Sequence, residues 1–275
     1  IWGLGTYATT KTLRSIHGDK TRVICCGPAG ENLSRIAVIQ TETENAAGQG
    51  GFGGVMGSKN LKAIAVRGTG GVKIARPEEF LKICLEQNRE GLAPSGFRSD
   101  SKWPSEKTLS GQKFRRHKCG FCSTMCTNTI YMDIQGAVFP ILYTTEQMCY
   151  GYRTTSHNGQ IEARVLTSNY GINGWEVSYG IIPWLQLCRQ HGLIKEIDGF
   201  EIPAPDKPIK YYRDCAPVPP EFLAMLLRKI AYREGPIGDA LSDGACYAAE
   251  KLFGGKGKRL LDRIYPGHWG QVEHW

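Results

Sequence analysis

The feature that most limits how this chain can fold is Cys119-Gly-Phe-Cys122-Ser-Thr-Met-Cys126, three cysteines at C-x2-C-x3-C spacing behind the basic residues Lys113, Arg115, Arg116 and Lys118. A segment this short can turn back so that three thiolates meet at one centre, and soft sulfur donors select zinc or the iron of an iron–sulfur cluster. Zinc sites more often pair two C-x2-C knuckles. Three close cysteines with a remote fourth fit a [4Fe–4S] cluster better, and the nearby cations offset its negative charge. The competing readings are three unrelated cysteines in a basic loop, or a disulfide plus one spare, which needs an oxidising compartment. Ten cysteines, clustered in this way, favour metal chemistry in a reducing, cytoplasmic compartment.

The formal charge of +8 is spread thinly, with no block of five like charges. That argues against nucleic acid as a partner and suits a surface that steers an acidic electron carrier or an anionic substrate. No run of eighteen apolar residues is present for a membrane span. A start on Ile1 and a last stretch, 267–275, without a closing element read as a piece of something longer.

Along the chain, residues 1–20 predict a short helix capped by Thr9 or Thr10, with Leu13 and Ile16 as an apolar pair. The β-branched run Thr21–Cys26 predicts a buried strand, Gly27–Asn32 a turn, and Ser34–Gln40 another strand. Cys25 and Cys26 read as core residues, since small thiols pack well in an apolar strand. Six glycines then fall within Gly48-Gln-Gly-Gly-Phe-Gly-Gly-Val-Met-Gly57. Their backbone can approach a ligand closely, and amides in such a loop can cradle an anion, with Lys59 and Lys62 adding charge. Neither a Walker loop nor the Rossmann fingerprint is present, and a plain flexible connection accounts for the same composition.

The character changes after Gly68–Gly71, which places a domain boundary near residue 72. Pro77–Glu90 predicts a helix whose Phe80, Leu81, Cys84 and Leu85 face a core, and 91–112 a polar loop. Thr129–Ile134 predicts a short strand. Tyr143, Glu146, Cys149 and Tyr152, three apart, predict one face of a helix over Pro140–Tyr152. A carboxylate and a thiol one turn apart can serve as proton carrier and metal ligand, or can be ordinary helix residues. Ser168–Asn173 predicts a turn opening a helix from Trp175 to Gln190, and further helices are expected over Glu221–Glu234 and Ile237–Leu252. His157 and His191 read as surface residues or helix ends. The fold class expected is α+β, with a β-rich part over 1–72 and a mainly helical domain over 73–275.

Several of these stretches occur together in one family. Gly27-Pro-Ala-Gly-Glu-Asn32, the run Gly50–Ile64, the Cys119/Cys122/Cys126 cluster, and Ile230-Ala-Tyr-Arg-Glu-Gly235 with Gly238, Asp239 and Gly244 resemble the tungsten–pterin aldehyde ferredoxin oxidoreductase family. The resemblance implies a bis-pterin tungsten (or molybdenum) cofactor, one [4Fe–4S] cluster held by Cys119, Cys122 and Cys126, and a small-molecule substrate. It also implies a ferredoxin-like carrier or an iron–sulfur partner subunit. Gly48, Gln49, Gly50, Gly51, Gly53 and Gly54, with Lys59, would form part of the pterin and phosphate cradle. Ser168, Gly171 and Asn173 would stand in the first pterin loop, D-x-x-G-L-D, where two aspartates have become Ser168 and Asn173. Gln49 replaces the family's usual Arg. Glu146 would move a proton. These departures suit a branch that reduces aromatic acyl-CoA rings, with Cys149 as a metal ligand. An electron-transfer or structural subunit without pterin chemistry is the alternative.

Overall fold

A computed structural model describes residues 1–41, 46–91, 113–117, 127–134, 137–143, 152–210 and 212–264. Helix α1 (Thr6–His17) leads to strand β1 (Arg22–Cys26), the one-turn helix α2 (Pro28–Glu31), and the short strands β2 (Ile39–Thr41) and β3 (Ala46–Ala47). Helix α3 (Phe52–Ser58) and strand β4 (Ala63–Val66) follow. The four strands form one antiparallel sheet in the order β3-β2-β1-β4, with Cys25 opposite both Gln40 and Ala63. The first part is therefore a mixture of helix and strand, and its sheet is small.

Helix α1 starts after Gly5, and Thr9 and Thr10 lie inside it instead of capping it. Its buried face is Thr6, Tyr7, Thr9 and Thr10, while Ile16 is exposed. The hydroxyls can go inward because they find acceptors: Thr6 Oγ1 donates to the Ser168 carbonyl at 2.8 Å and Thr9 Oγ1 to Gly5 at 2.9 Å. Tyr7 packs on Phe139 with ring centroids 4.8 Å apart.

After an exposed stretch around Val72, helix α4 spans Pro77–Gly91. The expected stripe is present, but Phe80, Leu81 and Leu85 stay about half exposed and Cys84 is only half-buried, so no described element covers that face. Strands β5 (Lys113–His117), β6 (Thr127–Ile134) and β7 (Ala137–Tyr143) form a second antiparallel sheet. Here the helix expected from Pro140 gives way: Pro140 and Tyr143 belong to β7, opposite Tyr131 and Asn128. Proline is tolerated because β7 is an edge strand of this sheet, where one side of the backbone needs no donor.

Helix α5 (His157–Tyr170) begins at Ser156, whose Oγ accepts the Gly159 amide. A π-helix, Glu176–Ile181, runs directly into α6 (Ile182–Gln190). The hairpin β8 (Glu196–Ile197) and β9 (Phe200–Glu201) precedes α7 (Pro220–Tyr232), α8 (Gly235–Leu241) and α9 (Ala245–Lys251). The single helix expected over Ile237–Leu252 is broken at Gly244, which sits at φ 93°. His157 and His191 mark helix ends.

The apolar core is shared between the two parts. Ala29, Ile36 and Ala37 from the first join Trp184, Leu185, Leu223, Leu226 and Leu241 from the helices in one cluster. Trp184 Nε1 is satisfied by the Gly257 carbonyl at 3.0 Å, and Gln186 exchanges two hydrogen bonds with the backbone of Ala216. Trp184 and Gln186 are thus buried where the backbone offers partners. Among the described residues, no helix is long and apolar enough to cross a membrane.

Candidate cofactor site

The segment Ser34–Val38, expected to be mostly strand, instead turns, with the Ala37 amide donating to Ser34 O, and makes a single bridge from Ala37 to Ile172. It lies between two of the stretches singled out above. On one side, the glycine-rich run continues from Gly51, at φ 73°, into helix α3. Glycine is a poor helix former, so tertiary packing must hold this helix. It does so by close backbone approach. A Cβ at Gly51 would stand 2.5 Å from Arg35 O, at Gly53 2.5 Å from Val38 O, and at Gly54 2.7 Å from Ser34 O. The Gly53 amide donates to Ala37 O at 3.0 Å. Further along α3, a Cβ at Gly57 would sit 2.6 Å from the Gly30 carbonyl carbon.

On the other side, Gly171 terminates α5 at φ 69°, where a Cβ would lie 2.7 Å from the Gly27 amide nitrogen. The Val38 amide donates to Gly171 O at 2.8 Å and the Asn173 amide to Ile36 O at 2.8 Å. Asn173 Oδ1 accepts the Trp175 amide at 3.1 Å, and the carbonyl of buried Ser168 accepts Thr6 Oγ1. The structure therefore brings Gly51, Gly53, Gly54, Gly171 and Asn173 together about one short segment, with Ser168 tied to it through the Gly171 amide.

Gly48 and Gly50 differ from these. Among the described residues nothing lies within 4 Å of a Cβ at Gly48, and the atoms nearest one at Gly50, which has φ 102°, belong to the Phe52 ring. Gln49 lies between them, half-buried. Lys59 is exposed just past α3, whereas Lys62 is buried, 2.5 Å from Glu31 Oε1 and 2.6 Å from Leu4 O. Lys62 thus ties the first residues to α2 and is committed inside the protein.

Sequence reasoning assigned no role to the charged network behind Ser34–Val38. Arg233 Nε donates to Asn32 O at 2.7 Å and Nη2 to Leu33 O at 2.9 Å. The same guanidinium meets Asp239 Oδ1 and Asp243 Oδ1, each at 2.7 Å. Asp243, 7% exposed, also receives Lys251 Nζ at 2.5 Å. Burial opposes its ionisation, but the hydrogen bonds and charges of Lys251 and Arg233 outweigh this and hold the carboxyl below its ordinary range. The signal for this network was Arg233 followed by Asp239 and Asp243. Its other half, Asn32 and Leu33, lies two hundred residues earlier in the chain, beyond any local pattern.

The thiols divide by environment. Cys25 and Cys26 are buried in β1, as expected for core residues, and burial pushes the Cys25 thiol up to about 12. Cys188 and Cys215 are likewise pushed up to about 12 by burial, and Cys246 to about 11. Such thiols stay protonated and serve as packing. Among the described residues, no three His, Cys, Asp or Glu side chains converge as a metal site. Cys119, Cys122, Cys126, Glu146 and Cys149 lie outside the described residues.

Comparison with known proteins now gives this frame its family. Residues 1–68 match the family model "Aldehyde ferredoxin oxidoreductase, N-terminal domain", and residues 68–260 match its "domains 2 & 3". The chain belongs to the aldehyde ferredoxin oxidoreductase family. It is 28% identical over 289 residues to the tungsten-containing aldehyde ferredoxin oxidoreductase of Pyrococcus horikoshii, covering 92% of this chain and 46% of that protein. The Pyrococcus furiosus protein described in the same words is 46% identical over 88 residues, 32% of this chain and 14% of that one. The fold resembles a chain of the active-site complex BamBC of benzoyl coenzyme A reductase solved with 1,5-dienoyl-CoA. That match has a TM-score of 0.70 and 21% identity over 98% of this chain and 45% of the other. The chain spans about half the length of the relatives it matches along its whole extent.

Proposed function

We propose that the protein is a catalytic subunit of a tungsten–pterin oxidoreductase whose pterin and phosphate rest on the loop Gly48–Gly51 and the turn Ser168–Asn173. The observation that carries this reading is Gly48. It has no left-handed φ and, among the described residues, no neighbour within 4 Å of a side-chain position, so none of these requires glycine there. Approach of another group to the bare backbone, in the loop that carries the family resemblance, would. The residues present fit such a group: Gly48 leaves its backbone uncovered by described side chains, and the turn Ser168–Asn173 is fixed by Gly171 O and the Asn173 amide.

When bound, the tungsten–pterin group supplies two-electron redox chemistry. The overall conversion for an aldehyde is RCHO + H2O to RCOO⁻, three protons and two electrons. In this reading Glu146 would carry a proton, Cys149 would ligate the metal, and Cys119, Cys122 and Cys126 would hold a [4Fe–4S] cluster. A ferredoxin-like carrier or an iron–sulfur partner subunit would exchange the electrons. With Cys149 as ligand, reduction of an aromatic acyl-CoA ring is the second substrate class to assay.

The structure has one feature that favours a rival. Asn173 spends its carbonyl oxygen on the Trp175 amide, which suits a subunit that keeps the fold and cluster but has lost the pterin. Metal and pterin analysis of the complete protein, purified without air, decides between them. Tungsten (or molybdenum) with pterin is expected; a cluster without pterin establishes the rival.

A further inference from the structure

We infer that Arg233, clamped between Asp239 and Asp243, is the positioning residue of this cofactor bed; the inference rests on the reading just proposed for Gly48–Gly51 and Ser168–Asn173. Ser168–Asn173 is bonded to Ser34–Val38 through Val38 N to Gly171 O and Asn173 N to Ile36 O; the glycine loop packs on it at Gly51 and is bonded to it just beyond, in α3, through Gly53 N to Ala37 O. The segment itself hangs from the turn joining α8 and α9. Ser34 Oγ donates to Ser242 O at 2.8 Å and the Arg35 amide to the same carbonyl at 3.0 Å. Arg35 extends over the Tyr247 ring, 4.4 Å from its centroid, with Nε 3.8 Å from Asp243.

Two residues at this junction sit in the left-handed region without being glycine: Leu33 at φ 57° and Arg233 at φ 52°. Each conformation is disfavoured and persists only where surrounding bonds over-determine it. The two are joined directly, Arg233 Nη2 donating to Leu33 O. The guanidinium therefore holds the entry to Ser34–Val38 in a conformation the chain would otherwise leave, and two carboxylates fix the guanidinium. Arg233 touches neither glycine loop in any bond described. Its action on them runs through the backbone of 32–38.

The test is hydrogen exchange on the complete protein, with and without its cofactor, comparing wild type with Arg233→Gly and Arg233→Lys. Glycine accepts φ 52° without strain, so Arg233→Gly removes the side-chain bonds while relieving the backbone. Loss of charge-assisted bonds at this junction is expected to speed exchange of the Val38, Gly53 and Asn173 amides by about tenfold or more. Amides within α6 should stay unchanged. Arg233→Lys, with a single ammonium in place of the fork, should not restore protection. In the loaded protein, pterin retained through gel filtration should fall in parallel. Equal acceleration at all sites would reduce Arg233 to general stabilisation, and unchanged exchange at the three amides would remove the clamp; either overturns the inference. Should neither Arg233 variant fold, Asp243→Asn is measured at the same amides against the same criteria. Wild-type protein lacking pterin defeats the functional reading alone, because the exchange comparison on cofactor-free protein still decides the clamp.

Discussion

Replacing Gly57 by alanine separates packing from ligand binding when set beside the same change at Gly48. In an unconstrained helix the first change would be favourable, since alanine exceeds glycine by about 1 kcal/mol in helix propensity. At Gly57 the new Cβ would lie 2.6 Å from the Gly30 carbonyl carbon, closer still to its oxygen, and 3.2 Å from the Glu31 Cα. All of these are backbone atoms of α2, which cannot rotate away as a side chain can. The helices must separate, which loosens the contacts of Gly51, Gly53 and Gly54 on Ser34–Val38. Overpacking typically costs about 1–3 kcal/mol, and opposition by backbone places this case at or above the top of that range. The net loss expected is about 2 kcal/mol or more. For chains of this size that lowers the melting temperature by about 4–8 °C. Gly48→Ala meets nothing within 4 Å among the described residues and should move stability by no more than about 0.5 kcal/mol, yet lower the pterin content. Thermal melting followed by circular dichroism, with pterin measured on the same samples, checks both. A Gly57→Ala protein that melts at or above the wild-type temperature would refute the close-approach reasoning. A Gly48→Ala protein with full pterin would refute the ligand-facing role.

Two further outcomes follow from buried groups. Lys62 and Glu31 are 5% and 6% exposed, so Lys62→Met leaves a carboxylate buried without its cation; a loss of about 3–5 kcal/mol is expected in urea unfolding, with the double change Lys62→Met/Glu31→Leu recovering most of it. The thiols of Cys25, Cys188 and Cys215 are raised from 9.0 to about 12, so they should resist alkylation at pH 8 until denaturant is added. Their protonated state contributes stability fully below pH 9 and loses it as pH rises toward 12, by about 1.4 kcal/mol per pH unit for each thiol. Unfolding free energy that stays flat from pH 9 to pH 11 would contradict this.

What the sequence made legible was local. The strand Arg22–Cys26 and the amphipathic helix Pro220–Tyr232 follow from side-chain pattern, and their buried faces are those expected, with Val23 and Cys25 in one and Phe222, Leu226 and Ile230 in the other. Helix α3 was hidden because its stability comes from Ser34–Val38 and Gly30, not from its own residues. Helix α5 had a readable start in Ser156, with Ile161 and Ala163 buried beyond it, but the turn at its far end drew the reading instead. The spacing of Tyr143, Glu146, Cys149 and Tyr152 suggested a helix, whereas cross-strand pairing with β6 claims its first residues. Of the site, the two stretches could be named from motifs. Their meeting around one segment, and the Arg233 network behind it, arise from contacts between residues far apart in the chain.

The Val38 carbonyl would lie 2.5 Å from a Cβ at Gly53 and 3.5 Å from one at Gly171, so a single peptide group serves as the spacer between two stretches that are otherwise remote. Neither can drift without the other. Exchanges at positions outside this packing, such as Gly48, would then leave that spacing in place, in the way fittings are swapped on a fixed mount. Divergence within such a lineage would concentrate in those fittings, with the mount left nearly untouched.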